Sequence, residues 1–144
     1  MGQTSGKLDD KAVEITLIAR RIHLRAGTRY NARGIDDQGF VGNQCEKEQI
    51  LVIENRHLIS HVQISGSVPL FWEQKGLKEN VNLTRSLEHT KKAFILHFKH
   101  ILETYGKVCC LNLLQTKTER EDLLTQGFVK LIYDPEISES RIKY

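Results

Sequence analysis

The sequence has 144 residues, 40% hydrophobic and 27% charged, which suits one globular domain burying roughly 68–70% of its unfolded surface. Its 21 Lys and Arg exceed its 18 Asp and Glu by a formal charge of only +3, too small a surplus to argue for nucleic acid as a partner. No apolar run reaches the roughly 18 residues of a membrane span, and the first ten residues lack the apolar core of a signal peptide. Cys45, Cys109 and Cys110 make an odd count without the spacing of a disulfide framework, so a reducing, cytoplasmic setting is expected. Met1-Gly2-Gln3-Thr4-Ser5-Gly6 falls short of a myristoylation signal because Gly6 stands where Ser or Thr is needed.

In chain order, a polar N-terminal segment, residues 1–12, precedes the first patterned element. Val13, Ile15 and Leu17 alternate with Glu14 and Thr16, the period of a half-buried strand over Ala12 to Ala19. Between Glu14 and Asp36 there is no acidic residue, while Arg20, Arg21, Arg25, Arg29 and Arg33 all fall in that window. Asp36-Asp37-Gln38-Gly39 supplies turn chemistry before Phe40 and Val41, so a hairpin-like return is expected there. Ile50 to Ile53 and Leu58 to Ile64 read as two further strands parted by Glu54-Asn55-Arg56-His57. Beyond Pro69 the period becomes helical: Leu87, Phe94, Phe98, Ile101, Leu102 and Tyr105 predict a helix over Ser86 to Tyr105, capped by Gly106. Val108 to Leu114 follows as a short apolar strand. Glu119 to Tyr133 predicts a second helix ended by Asp134-Pro135, and Ile142-Lys143-Tyr144 begins one more strand. The order predicts an α/β class, a mixed β-sheet flanked by helices.

Arginine at every fourth position, Arg25, Arg29 and Arg33, with Gly27 and Gly34 beside two of them, suits convergence on a polyanion. Guanidinium donors match phosphate oxygens in pairs, and glycine lets the backbone come close. The alternative is that these arginines pair with Asp36, Glu46 or Glu48 and brace a sheet. In Gln63-Ile64-Ser65-Gly66-Ser67, the turn amides suit an anion nest, with the Ser67 hydroxyl as a further donor. Phe71 and Trp72 read as core. His89, His97 and His100 lack the spacing of a zinc helix, so solvated or partly buried histidines are expected and no metal. Lys91 and Lys92 read as a wet helix face. Cysteine chemistry on phosphate requires a Cys-x5-Arg loop. Six places after Cys45, Cys109 and Cys110 stand Leu51, Gln115 and Thr116, so no cysteine here meets that need, and Cys109 and Cys110 read as inert core.

Two stretches, Ile18-Ala19-Arg20-Arg21 through Arg25-Ala26-Gly27-Thr28-Arg29-Tyr30-Asn31-Ala32-Arg33-Gly34 and Val62-Gln63-Ile64-Ser65-Gly66-Ser67-Val68-Pro69-Leu70-Phe71-Trp72, together resemble the Sac-domain phosphoinositide phosphatases. Glu48-Gln49-Ile50 is similar to the family's Glu-Thr-Glu-Gln-Ile segment. Tyr105-Gly106-Lys107 leading into Leu111-Asn112-Leu113-Leu114 is similar to its next helix-to-strand step. The resemblance runs from about Val13 to Tyr144. It implies phosphate removal from inositol lipids through a phosphocysteine intermediate, in a cationic groove and without a metal or other cofactor. It also implies that residues 13–144 are a partial Sac domain, with an N-terminal subdomain upstream and the Cys-x5-Arg loop downstream, and with no catalytic residue in this chain. Expected partners are phosphoinositide headgroups at a membrane surface and the remainder of the domain. The expected setting is cytoplasmic, peripheral at endomembranes. The expected phosphate-binding set is Arg25, Arg29, Arg33 and Ser67. The other reading is a truncated module that binds phosphoinositide or protein without turnover. Two departures stand out: Ser65-Gly66-Ser67 where the family has Arg-Gly-Ser, and Glu46-Lys47-Glu48-Gln49 where it has Glu-Thr-Glu-Gln.

Overall fold

The computed structural model of the chain describes residues 1–27, 32–74, 81–114, 119–137 and 140–144. Two antiparallel hairpins come first. β1 (Gly2–Leu8) turns through Asp9 and Asp10, both at positive φ, into β2 (Lys11–Arg21). β3 (Cys45–Ile53) turns through Glu54 and Asn55, again at positive φ, into β4 (His57–Ser65). The sheet order is β1-β2-β3-β4, with an unbroken register in which Ile15 lies opposite Leu51 and Leu51 opposite Ile59. The alternation that predicted a strand from Ala12 extends two residues further, to Arg21. The polar N-terminal segment contains a full edge strand, Gly2 pairing with Leu17 and Leu8 with Lys11. An edge strand needs only its backbone groups to join a ladder, so apolar alternation does not mark it.

The remaining elements build the core. β5 (Trp72–Gln74) pairs with β6 (Val81–Leu83), and α1 (Leu87–Tyr105) follows. β7 (Val108–Cys109) and β8 (Ile142–Lys143) pair in parallel around α2 (Glu119–Ile132). The class is α/β as the pattern predicted, with the described strands divided among three sheets. α1 begins where Ser86 Oγ accepts the His89 amide and ends at Gly106, whose φ of 78° no β-carbon opposes and whose N–H donates to Leu102 O. Its buried side, including Ala93, Phe94, His97, Phe98, Ile101 and Leu102, recurs at steps of three and four residues. With Leu70, Trp72, Leu124 and Leu131 it closes the main apolar cluster, and Ile35, Val41, Phe71 and Ala93 form a second one.

Three expectations are corrected. Val108 to Leu114 is not a full strand: only Val108 and Cys109 join a ladder, because β8 offers them just two partners, and Leu111 and Leu113 lie exposed. Lys91 is not on a wet face; its Nζ lies 3.0 Å from Asp134 and 2.9 Å from Glu136, tying α1 to the segment after α2. Cys109 is exposed rather than core, since it points to the side of β7 that nothing described covers, while Cys110 is half-buried. Burial pushes the Cys110 thiol up to about 11, well away from a reactive thiolate. Phe71 and Trp72 are core, as expected. No helix among the described residues is long and apolar enough to cross a membrane.

Candidate anion-binding groove

The two arginine- and glycine-bearing stretches lie some thirty residues apart in sequence and meet in space. The Gly34 amide donates to Ser67 Oγ at 2.8 Å, and the Ile35 amide to Leu70 O at 2.9 Å. The Gly42 amide donates to Gly34 O and the Ser67 amide to Gly42 O. The hairpin-like return at residues 36–39 is present as the Ile35–Val41 bridge. In it Asp36 carboxylate accepts the Gln38 and Phe40 amides, the side-chain turn that aspartate favours. Gly34 must be glycine: its φ is +67°, and a β-carbon there would sit 2.5 Å from Leu70 O. Gly34→Ala is therefore expected to lower stability by about 2 kcal/mol, read as a lower urea midpoint with an unchanged slope.

These segments enclose a groove of about 380 Å³ lined by Arg21, Ala32, Arg33, Gly42, Asn43 and the Ser65-Gly66-Ser67 turn. Among the described residues no carboxylate lines it. Arg21 enters from the end of β2 and donates to Asn43 Oδ1 at 2.9 Å, and Asn43 in turn donates to Ala32 O at 3.1 Å. Arg33 lies over the Trp72 ring at 5.2 Å and donates to Gln74 Oε1 at 3.2 Å, which fixes its cation at the rim of the core. Ser67 Oγ receives the Gly34 amide on a lone pair and keeps its own proton to donate. Its backbone amide is already engaged by Gly42 O, so the nest expected at Gly66 and Ser67 lacks that donor. The groove wall thus carries the Arg21 guanidinium, the Asn43 amide and the Ser67 hydroxyl, with Arg33 at its edge.

The expected residues separate into those the groove uses and those it does not. Arg33 and Ser67 line it. Arg25 does not. It donates to Arg33 O at 2.9 Å and stands 3.9 Å from the Asp36 carboxylate, bracing the backbone that carries Arg33. Arg29 lies outside the described residues. Arg21 and Asn43 belong to the groove and were not among the expected site residues. Arg21 could have been placed by counting strand parity from Leu17, whereas Asn43 had no signal beyond its place after Gly42.

Arg20 points to the opposite face of the sheet, 2.7 Å from Glu46 and 2.8 Å from Glu48; it takes two of the acidic partners that the bracing alternative gave to Arg25, Arg29 and Arg33, while Arg25 stands beside the third, Asp36. Glu48 is held below the usual carboxylate range first by Arg20 and then by the Ser60 hydroxyl. The Tyr105 hydroxyl donates to Glu46, linking the end of α1 to β3. Removal from water, and then Glu46, push its phenol up to about 12. Three side chains hold the 36–40 turn against α1. Arg85, lying over Phe71, bonds to Asp37, while His97 Nδ1 and His100 Nε2 reach the carbonyls of Gly39 and Gln38 at 3.0 and 3.1 Å. His97 is buried and His100 stacks on Phe40, so both histidines serve structure. Among the described residues no group of three or more metal-ligating side chains converges.

The family described as the SacI homology domain matches residues 2–144. The chain is 42% identical over 120 residues to an inositol-1,4,5-trisphosphate 5-phosphatase 1 of Schizosaccharomyces pombe, covering 81% of this chain and 11% of that protein. It is 42% identical over 121 residues to synaptojanin-1 of Homo sapiens, covering 82% and 8%. It is 39% identical over 120 residues to the phosphatidylinositide phosphatase SAC2 of Homo sapiens, covering 82% and 10%. The chain thus spans about a tenth of the length of these curated relatives.

Proposed function

The chain belongs to the SacI homology domain family, and from that premise we propose that it is part of a phosphoinositide phosphatase whose groove between the two glycine-bearing stretches receives a phosphate of an inositol lipid. The reaction proposed for the parent protein is hydrolysis of a phosphate monoester through a phosphocysteine, without a metal. The thiolate loop it requires is not within these 144 residues, because no cysteine here is followed six places on by arginine. This chain by itself is accordingly proposed to bind without turnover. The protein works at the cytoplasmic surface of endomembranes, where inositol lipids present their headgroups.

The observation that carries the reading is the groove with Arg21, Arg33 and Ser67 on its walls and no carboxylate among its described lining residues, formed chiefly by the same two stretches that carry the family resemblance. Arg33 and Ser67 bind the phosphate directly. Arg25 holds the Arg33 backbone in place and adds positive potential, and Arg29 adds to that potential by its place in the same window.

Binding of short-chain phosphoinositides to the 144-residue chain, followed by calorimetry, tests this. Arg21→Ala and Ser67→Ala are each expected to weaken binding about tenfold or more, since hydrogen bonds to charged groups contribute roughly 1.5–3 kcal/mol. Affinity for the phosphorylated headgroup should fall as salt rises. Unchanged affinity in both variants would remove the groove from the proposal, and phosphate release by this chain would overturn the assignment of catalysis to a loop outside it.

A further inference from the structure

The register of the four-stranded sheet sorts its charges by face. Counting from Ile15 opposite Leu51 opposite Ile59, one face carries Val13, Ile15, Leu17, Leu51, Ile53 and Ile59 at its centre. Of these, Ile15, Leu17 and Ile59 are large apolar side chains left 43%, 44% and 51% exposed. The charged groups on the same face are Lys11, Lys47 and Arg21, with His57 and His61 beside them. No strand position of this face carries a carboxylate. The strand carboxylates Glu14, Glu46 and Glu48 all lie on the other face, where Arg20 and Tyr105 engage the last two. That other face also holds apolar groups, Leu58 and Val62 among them, so exposure of hydrophobic area does not distinguish the two. Charge does. Asp9, Asp10 and Glu54 stand on the hairpin tips, at the end of the sheet remote from the groove.

We propose that this carboxylate-free sheet face, centred on Ile15, Leu17 and Ile59 and ringed by Lys11, Arg21 and Lys47, docks on the anionic surface of a phospholipid bilayer. Two features select that occupant. An apolar centre with a cationic margin matches an interface whose outer layer is negative and whose next layer is hydrocarbon. A second copy seated face to face would set Lys47, Lys11 and Arg21 against a surface of the same sign, an arrangement that costs affinity. The face also runs into the groove: Arg21, opposite Cys45, and Ser65, opposite Cys45 on the other side, belong to this face and line the groove. A bilayer lying on the sheet therefore brings lipid headgroups to the mouth of the groove.

Co-sedimentation of the 144-residue chain with vesicles of phosphatidylcholine containing about one fifth phosphatidylserine tests the face without any inositol lipid, and so independently of the groove. The wild-type chain should bind these vesicles and not phosphatidylcholine alone. Ile59→Glu and Lys47→Glu should each lower the partition coefficient about tenfold or more. Leu58→Glu, on the opposite face and 71% exposed, should change it by less than about twofold. All three positions are solvent-facing, and circular dichroism with a thermal melt checks that each variant keeps its fold. Failure of the folded wild-type chain to bind, or an equal loss in Leu58→Glu, overturns the proposal. A dimer seen by light scattering and split by Ile59→Glu also overturns it and gives the face to a second copy.

Discussion

Replacing Phe94 by alanine is expected to lower the unfolding free energy by about 3–5 kcal/mol, the cost of removing a fully buried aromatic ring together with the cavity left behind. Phe94 is 0% exposed and stands at the centre of the main cluster, with its ring 4.9 Å from that of Phe98 and 5.6 Å from that of Phe128. It therefore joins α1 to itself and to α2, and Leu70 and Trp72 of the groove-bearing stretch belong to the same cluster. Its neighbours come from rigid elements and cannot collapse into the gap. A domain of this size has about 5–15 kcal/mol in hand, so a loss at the upper end leaves little native protein. Urea unfolding followed by Trp72 fluorescence measures it. A midpoint shift worth less than about 1 kcal/mol would mean that the core closes around the gap and that α1 and α2 are not fixed by this ring.

The helices were legible in the sequence because each carries its own period and its own stops. Ser86 and Gly106 bracket α1, and Asp134-Pro135 ends α2. β2 and β4 were legible for the same local reason, but β3 only in its Ile50–Ile53 half, because Cys45-Glu46-Lys47-Glu48-Gln49 carries no apolar alternation. Of the shorter ones, β8 was expected at Ile142-Lys143, whereas β1, β5 and β6 were not and β7 was expected too long. β7 owes its two ladder residues to β8, 34 positions on from Val108 to Ile142, and β1 is polar up to Leu8 and is ordered by β2. Pairing that depends on a distant partner leaves no periodic trace.

The groove was half legible. Both stretches that build it were visible as arginine-, glycine- and serine-bearing segments, and of the residues expected to bind phosphate, Arg33 and Ser67 line the groove. What the spacing could not give was direction. Arginines four apart converge only on a regular element, whereas residues 22–27 form an irregular turn that aims Arg25 at Arg33 O. Arg21 faces the groove because β2 remains a strand to its last residue, and a difference of one position sends Arg20 to the opposite face and to Glu46. Strand parity decides between a groove-lining side chain and a brace, and parity becomes usable only once the end of the strand is known.

Acid should loosen the turn beside the groove through His97. Its ring is buried, with Nδ1 3.0 Å from Gly39 O and the ring edge-on to Phe98. Burial first, and the neighbouring His100 charge to a lesser degree, lower its affinity for a proton from the ordinary 6.5 to about 4, against the partial support of the Gly39 carbonyl. The folded chain thus holds His97 neutral between those values while the unfolded chain binds the proton. The associated stability is complete above about pH 6.5 and is lost as the pH falls through about 4. The full span is about 3 kcal/mol, of which about 2 kcal/mol falls between about pH 7 and about pH 5. Because Gly39 precedes Phe40, Val41 and the groove residues Gly42 and Asn43, release of this contact should also weaken anion binding over the same range. His97→Asn keeps an N–H donor near Gly39 O and removes the titration. Its absolute stability should fall through the lost ring, yet its urea midpoint should vary less between about pH 7 and about pH 5 than that of the wild-type chain, by an amount worth about 2 kcal/mol. An equal pH slope in the two proteins would place the acid sensitivity elsewhere and leave His97 as a packing residue alone.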